Sequence, residues 1–216
     1  MKIVTLFSLI FTTLLLTGCA QRAAYDYSSF KESKPTSILV LPPLNHSPDV
    51  KAGASLQSQI TFPLAESGYY VLPVAVTNET FRQNGITEAA DIHSLPIKKL
   101  HEIYGADTAL YLDIKDYGTS YIVVSSETVV TAHARLVDLR TGKLLWEGSA
   151  SASSAEQQSN SGGGLIGMLV VAVVNQIANT ITDKGHEIAG ITSYRLLSAD
   201  MPNGILYGPY SPKYHK

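Results

Sequence analysis

Leu110-Tyr111-Leu112-Asp113-Ile114-Lys115 alternates aliphatic residues with Tyr, Asp and Lys, the period-2 signature of a strand that buries one face. Working outward, a turn is expected at Tyr117-Gly118-Thr119-Ser120. Beyond it, Tyr121 to Asp138 alternates again through Val130, Ala132, Ala134 and Leu136. After Asp138-Leu139-Arg140-Thr141-Gly142, a third run from Lys143 to Ser151 carries Leu144 and Trp146 on one side. Three such runs predict an antiparallel meander, with Gly142 supplying the positive φ that a tight turn needs.

Upstream, Ile38-Leu39-Val40-Leu41 reads as a short buried strand closed by Pro42-Pro43, because proline cannot continue a ladder. Gly53 to Ser67 spaces Leu56, Ile60 and Leu64 four apart, a helix with one buried face that Pro63 would kink or shorten. Gly68 ends it and Tyr69-Tyr70-Val71-Leu72 reads as a second strand, which makes a β-α-β unit. Short helices are expected around Ala75 to Asn84 and Ile97 to Tyr104. The fold class is α/β: a β-α-β unit plus an antiparallel meander, forming one mixed sheet with helices packed on it.

Downstream, Ser149 to Gly164 holds six Ser before three consecutive Gly and is expected to be mobile. Leu165 to Val174 is apolar but for Gly167. From Gly162 to Val174 it would make a helix about 20 Å long, too short to span a bilayer alone. The stripe Ile166, Val170, Val173, Ile177, Ile181 suits a helix packed on the sheet. Its first turns are apolar all round, so Leu165, Ile166, Met168, Leu169, Val170 and Val173 are candidates for self-association. Twelve tyrosines include Tyr194, Tyr207, Tyr210 and Tyr214 in a tail that also holds Pro202, Pro209 and Pro212. That tail either packs back on its own domain or offers Tyr207, Tyr210 and Tyr214 to a partner, since tyrosine suits half-wet contacts.

Motifs for chemistry are missing. The six histidines (His46, His93, His101, His133, His186, His215) show no pair three or four apart and no His-Glu-x-x-His, so no metal site is expected. There is no Gly-x-Ser-x-Gly elbow, and Gly162-Gly163-Gly164 runs into Leu165 instead of a phosphate-binding Lys. Asp113 and Asp116 stand three apart on a strand, which by strict alternation puts them on opposite faces. Asn78-Glu79-Thr80 matches a glycosylation acceptor only by chance. No enzyme and no cofactor are expected. Lys plus Arg is 16 against 18 for Asp plus Glu, without a basic tract, so no nucleic-acid partner is expected either.

The chain begins with Lys2 and an apolar run from Ile3 to Leu16, broken only by Thr5, Ser8, Thr12 and Thr13, then Leu16-Thr17-Gly18-Cys19. This is a secretion signal, too short for a membrane-spanning helix. Leu16-Thr17-Gly18-Cys19 resembles the lipobox of bacterial lipoproteins, in which the cysteine receives a diacylglyceryl group and becomes the acylated first residue after cleavage. By that resemblance Cys19 is the lipidated anchor in a bilayer, residues 1–18 are removed, and 216 − 18 = 198 remain. Cys19 is the only cysteine, so lipid addition leaves no thiol for disulfide or nucleophile. Ala20 stands where the sorting rule for such lipoproteins places an inner-membrane Asp, which implies the outer membrane and its periplasmic face. Ala20 to Thr36 is polar and ends near Pro35, so residues 19–36 are expected as a tether and residues 37–216 as one periplasmic domain.

Further matches run along the domain: Leu41-Pro42-Pro43-Leu44-Asn45 through Asp49-Val50-Lys51-Ala52, and Pro63-Leu64-Ala65-Glu66-Ser67-Gly68-Tyr69-Tyr70-Val71-Leu72-Pro73-Val74. Tyr104-Gly105-Ala106-Asp107, Leu136-Val137-Asp138 with Thr141-Gly142 and Leu145-Trp146, and Leu206-Tyr207-Gly208-Pro209-Tyr210 complete the set. Together these resemble a family of bacterial lipoproteins of unknown function typified by a neisserial genome-derived vaccine antigen. The resemblance implies an α/β domain similar to the N-terminal domain of the Tol system's periplasmic protein and to curli-secretion lipoproteins. It also implies a homodimer with a role in envelope assembly or transport, with no catalytic residue to carry over. The expected function is a non-enzymatic, outer-membrane-anchored lipoprotein that self-associates and docks to other envelope proteins in a transport or surface-assembly complex. The alternatives are an anchored regulator of a cell-wall synthase, reached through the tether, and an unrecognised hydrolase.

Overall fold

A computed structural model describes residues 25–122, 125–158 and 183–214. One mixed sheet of six strands carries seven described helices. In chain order the elements are α1 (Ser28–Ser33), β1 (Ser37–Val40), β2 (Leu44–Asn45), α2 (Ala52–Glu66) and β3 (Tyr70–Val71). They continue with α3 (Val74–Gln83), α4 (Ala89–Ser94), α5 (Ile97–Tyr104), β4 (Thr108–Ile122), β5 (Ser125–Asp138), β6 (Leu144–Ser153), α6 (Ser154–Gln158) and α7 (Lys184–Leu197).

The sheet order is β3-β1-β4-β5-β6, with β3, β1 and β4 parallel and β4, β5 and β6 antiparallel. The predicted β-α-β unit is β1-α2-β3, and the predicted meander is β4-β5-β6. β2 pairs with the same strand as β1, Leu44 opposite Asp113 as Val40 lies opposite Leu110, so the two behave as one strand interrupted by Pro42 and Pro43. α2 runs through Pro63 to Glu66 and is not shortened by it, burying Leu56, Ile60 and Leu64. At the β5-β6 connection Gly142 has φ +76, as its position requires.

Two cores sandwich the parallel half of the sheet. On one face Ile38, Val40, Leu110, Leu112, Ile114, Val130, Ala132, Ala134, Leu136 and Trp146 pack with α2 and α7. On the other, Leu39, Leu41, Ala109 and Tyr111 pack against Phe81 of α3, Ile92 of α4 and Leu100 of α5. That is why β1 reads as a continuous apolar run: both of its faces are covered.

Five expectations differ from the structure. Leu144, expected on the side of Trp146, is 42% exposed opposite Val137 while Trp146 is buried opposite Leu136, because the register shifts between Leu136 and Val137. The turn at Tyr117–Ser120 is absent; β4 continues through Gly118 (φ +133) to Ile122, paired with β5 as far as Ser125. Gly118 marks a site of unusual backbone within a strand, where a turn signal is easily misread. Between Ile114 and Asp116 the register slips by one residue, a β-bulge, so buried Tyr117 rejoins the face of Ile114. Asp113 and Asp116, which pair with His133 and Thr131, therefore share the other face, in place of the expected opposite ones. Nor is the serine-rich passage loose from its start: residues 149–153 belong to β6 and 154–158 to α6. Ala150 and Ala152 turn toward the first core while the Ser149 hydroxyl donates to the Ala132 carbonyl and Ser151 pairs with Thr131. Finally, the stretch expected as tether is packed on the domain from Tyr25 onward. Phe30 is 4% exposed inside the first core, where burying its ring contributes about 1.5–3 kcal/mol toward the entropy of ordering the segment.

Candidate functional site

The N-terminal segment is held at several points. The Tyr25 ring lies 4.8 Å from Tyr27, whose ring is 6.4 Å from Phe30. The Tyr27 hydroxyl donates to the Gly204 carbonyl (2.5 Å), and the Glu147 N–H donates to the Tyr25 hydroxyl (2.9 Å). The Ser33 hydroxyl donates to Asp138 (2.5 Å), and Asp107 Oδ2 accepts from both the N–H and the hydroxyl of Thr36 and of Ser37. Burial alone would raise the Asp107 and Asp138 carboxyls; these bonds outweigh it and hold both below the ordinary range.

The C-terminal tail closes over the same end. Gly208 and Tyr210 donate their N–H groups to the carbonyls of Ser67 and Gly68, which lie just past the C-terminus of α2. The fit is backbone on backbone: a Cβ on Gly208 would stand 2.3 Å from the Gly68 oxygen, and one on Gly68 2.4 Å from the Ser211 nitrogen. Ile205 is buried in the first core, and the Tyr69 hydroxyl donates to the Leu206 carbonyl (2.5 Å), burial pushing that phenol well up. Of the tyrosines expected to meet a partner, Tyr207 and Tyr214 line a pocket of about 430 Å³ and Tyr210 is 70% exposed.

That pocket lies between α1 and the tail. Phe30, Pro35, Tyr69 and Leu206 give it apolar walls, and Lys31, Lys34 and Lys213 its charge. Lys213 donates to Asp200 (2.8 Å) and sits 5.1 Å from the centre of the Tyr207 ring; the bond to Asp200 raises its pKa. Lys31 and Lys34 make no ion pair among the described residues.

A second concavity, about 490 Å³, opens at the β3 edge of the sheet between Tyr70, Leu72, Val76, Ile103 and Tyr104. Tyr70, Val76 and Ile103 are 56%, 63% and 54% exposed, an apolar concentration at a strand edge that is unpaired among the described residues.

The polar group that most resembles catalytic machinery is Ser55–His186, 2.9 Å apart where α2 meets α7. Gln59 Nε2 donates to His186 Nε2 (2.6 Å), which leaves the ring proton on Nδ1, pointing at Ser55; the Tyr117 hydroxyl donates to Ser55 as well (2.7 Å). In that arrangement the imidazole donates to Ser55 and does not take its proton. Sequence reasoning passed over this cluster because its members are 131 positions apart. The other histidines with described contacts are individually engaged: His93 with the Pro42 carbonyl, His101 with the Ala106 carbonyl, His46 with Asp113 at 3.2 Å. Asp113 also meets Lys115 at 3.5 Å. Among the described residues no group of three metal-ligating side chains occurs, and no helix is long and apolar enough to cross a membrane. Leu16, Thr17, Gly18, Cys19 and the apolar stretch holding Leu165, Ile166, Met168, Leu169, Val170 and Val173 lie outside the described residues.

Comparison with known proteins places this architecture. The chain is 54% identical over 198 residues to the protein named "Putative lipoprotein NMB1124/NMB1162" of Neisseria meningitidis serogroup B, covering 91% of each. It is similar to the crystal structure of lipoprotein GNA1162 from the same species, at 56% identity and TM-score 0.55, across 68% of this chain and all of that one. An E. coli LpoB structure (17% identity, TM-score 0.41, 64% of this chain and 74% of that one) is too remote to carry an argument. A family model described as "Putative lipoprotein GNA1162-like" matches residues 25–210. With the match spanning the docked N-terminal aromatics, the whole sheet and the closing tail, the chain belongs to the GNA1162-like lipoprotein family.

Proposed function

We propose that this lipoprotein is anchored through Cys19 at the periplasmic face of the outer membrane. There it acts without catalysis, self-associating and docking to other envelope proteins in a transport or surface-assembly complex. The observation that carries the reading is the apolar concavity at the unpaired β3 edge, where Tyr70, Val76 and Ile103 stay exposed. Exposed apolar groups beside free backbone donors and acceptors are what a protein partner covers.

Site-specific photo-crosslinking from position 76 or 103 in intact cells tests it. Adducts to a second copy of the chain or to an envelope protein are expected, whereas probes at exposed Glu66, on another surface, should stay uncoupled. Recovery of monomer alone from both groove positions would overturn the docking role. The alternative, a regulator reaching a cell-wall synthase over a long tether, has less support, because the chain from Tyr25 onward is tied to the domain.

A further inference from the structure

Lys31 and Lys34 line the pocket between α1 and the tail with no ion pair among the described residues, above walls made by Phe30, Tyr69 and Leu206. Of the neighbouring carboxylates, Asp200 is held by Lys213 and by the Tyr207 hydroxyl and Glu32 by Lys143 at 2.8 Å, while Asp26, bonded to the Ser28 N–H at 2.9 Å, acts on Lys31 only at longer range. The pocket thus joins two cations without a direct ion pair among the described residues to an aromatic-aliphatic floor, which is the chemistry of a group that is anionic at one end and apolar at the other.

Its position says where such a group comes from. The pocket is reached from Tyr25 through two ring contacts, 4.8 and 6.4 Å. On the reading that Cys19 carries the anchor, only residues 19–24 separate the bilayer from Tyr25, a span of at most about 20 Å even when fully extended. We infer that this pocket is a docking site for the anionic headgroup of a membrane phospholipid: the phosphate lies between the Lys31 and Lys34 ammonium groups, and the glycerol and first methylenes lie against Phe30, Tyr69 and Leu206. The domain then rests on the membrane with this pocket against the bilayer.

The inference builds on the anchoring proposal but is tested without the lipid, so that the two fail separately. The mature chain carrying Cys19→Ala is sedimented with vesicles of phosphatidylglycerol mixed into phosphatidylcholine, and with phosphatidylcholine alone. Binding is expected only to the former. Lys31→Ala with Lys34→Ala is expected to weaken it about 30-fold, from the usual contribution of two surface cations near an anionic bilayer. Lys98→Ala with Lys99→Ala, which removes equal charge from α5 on the opposite face of the sheet, should leave binding unchanged. Equal loss in both double variants would overturn the site as mere net charge. Undiminished binding of the first, or complete displacement of the vesicles by millimolar inorganic phosphate, would overturn it too. Circular dichroism of each variant guards the fold, and Lys31→Gln with Lys34→Gln repeats the measurement if the alanine pair unfolds. The mass of the native N-terminal residue tests the anchor independently.

Discussion

Phe30→Ala tests whether residues 25–35 belong to the folded body. The ring is 4% exposed in the first core, and truncating a buried phenylalanine costs about 3–5 kcal/mol. Ordering those eleven residues costs on the order of 10–20 kcal/mol in backbone entropy alone, so their docking survives on a small surplus. Losing Phe30 exceeds that surplus, and the segment should come away as a unit. The Lys31 and Lys34 amides, bonded to the Tyr27 and Phe30 carbonyls at 2.9 and 3.0 Å, report it directly. Their hydrogen exchange should accelerate by about two orders of magnitude, and a loss near 3 kcal/mol lowers Tm by about 6–12 °C. On the proposed Cys19 anchor, the chain between anchor and folded body would lengthen from six residues to seventeen, from at most about 20 to at most about 60 Å. Unchanged exchange at both amides together with an unchanged Tm would refute the packing argument, because Phe30 would then contribute nothing to holding the segment.

Gly185→Ala should destabilise by about 1–3 kcal/mol in chemical denaturation, since the new methyl would stand 2.7 Å from the Tyr117 ring and force the ring away from Ser55. Trp146→Phe removes an indole N–H that donates to the Asn203 carbonyl at 2.9 Å and leaves that carbonyl without its partner, for a loss of about 1–3 kcal/mol, read as a lowered denaturation midpoint with an unchanged slope. Burial lowers the pKa of His93 in the folded state, so the unfolded chain takes up the proton first. Its stabilisation is complete above about pH 6.5 and is lost as pH falls from there toward the folded value; His93→Gln should flatten the stability curve in that interval, and a slope identical to the parent's would count against the assignment. Asp107→Ala strips the shared acceptor from Thr36 and Ser37, and should increase proteolysis at the α1–β1 junction.

The fold was largely legible because its signals are periodic. Leu110, Leu112 and Ile114 keep step with Val130, Ala132 and Ala134, and Leu56, Ile60 and Leu64 keep helical step, since each set must face one core. What escaped was whatever breaks a period or depends on distant neighbours. The bulge after Ile114 adds one residue that sequence alternation cannot register, and it moved Asp116 to the face of Asp113. Gly118 has the same letter in a twisted strand as in a turn. Serine abundance hid the alternation of Ala150 and Ala152 with Ser149, Ser151 and Ser153, and a polar average hid Tyr25, Tyr27 and Phe30. Of the site, Tyr207 and Tyr214 were legible as unusual, but the lysines of α1 gained meaning only when the tail was seen lying across from them.

Phe30 and Ile205 sit in one core though they stand near the two ends of the chain, and the last strand-like contacts fall at Gly208 and Tyr210. A chain made from its N-terminus therefore cannot complete this core until the segment from Ile205 to Tyr210 has been added, and everything ahead of it stays open until then.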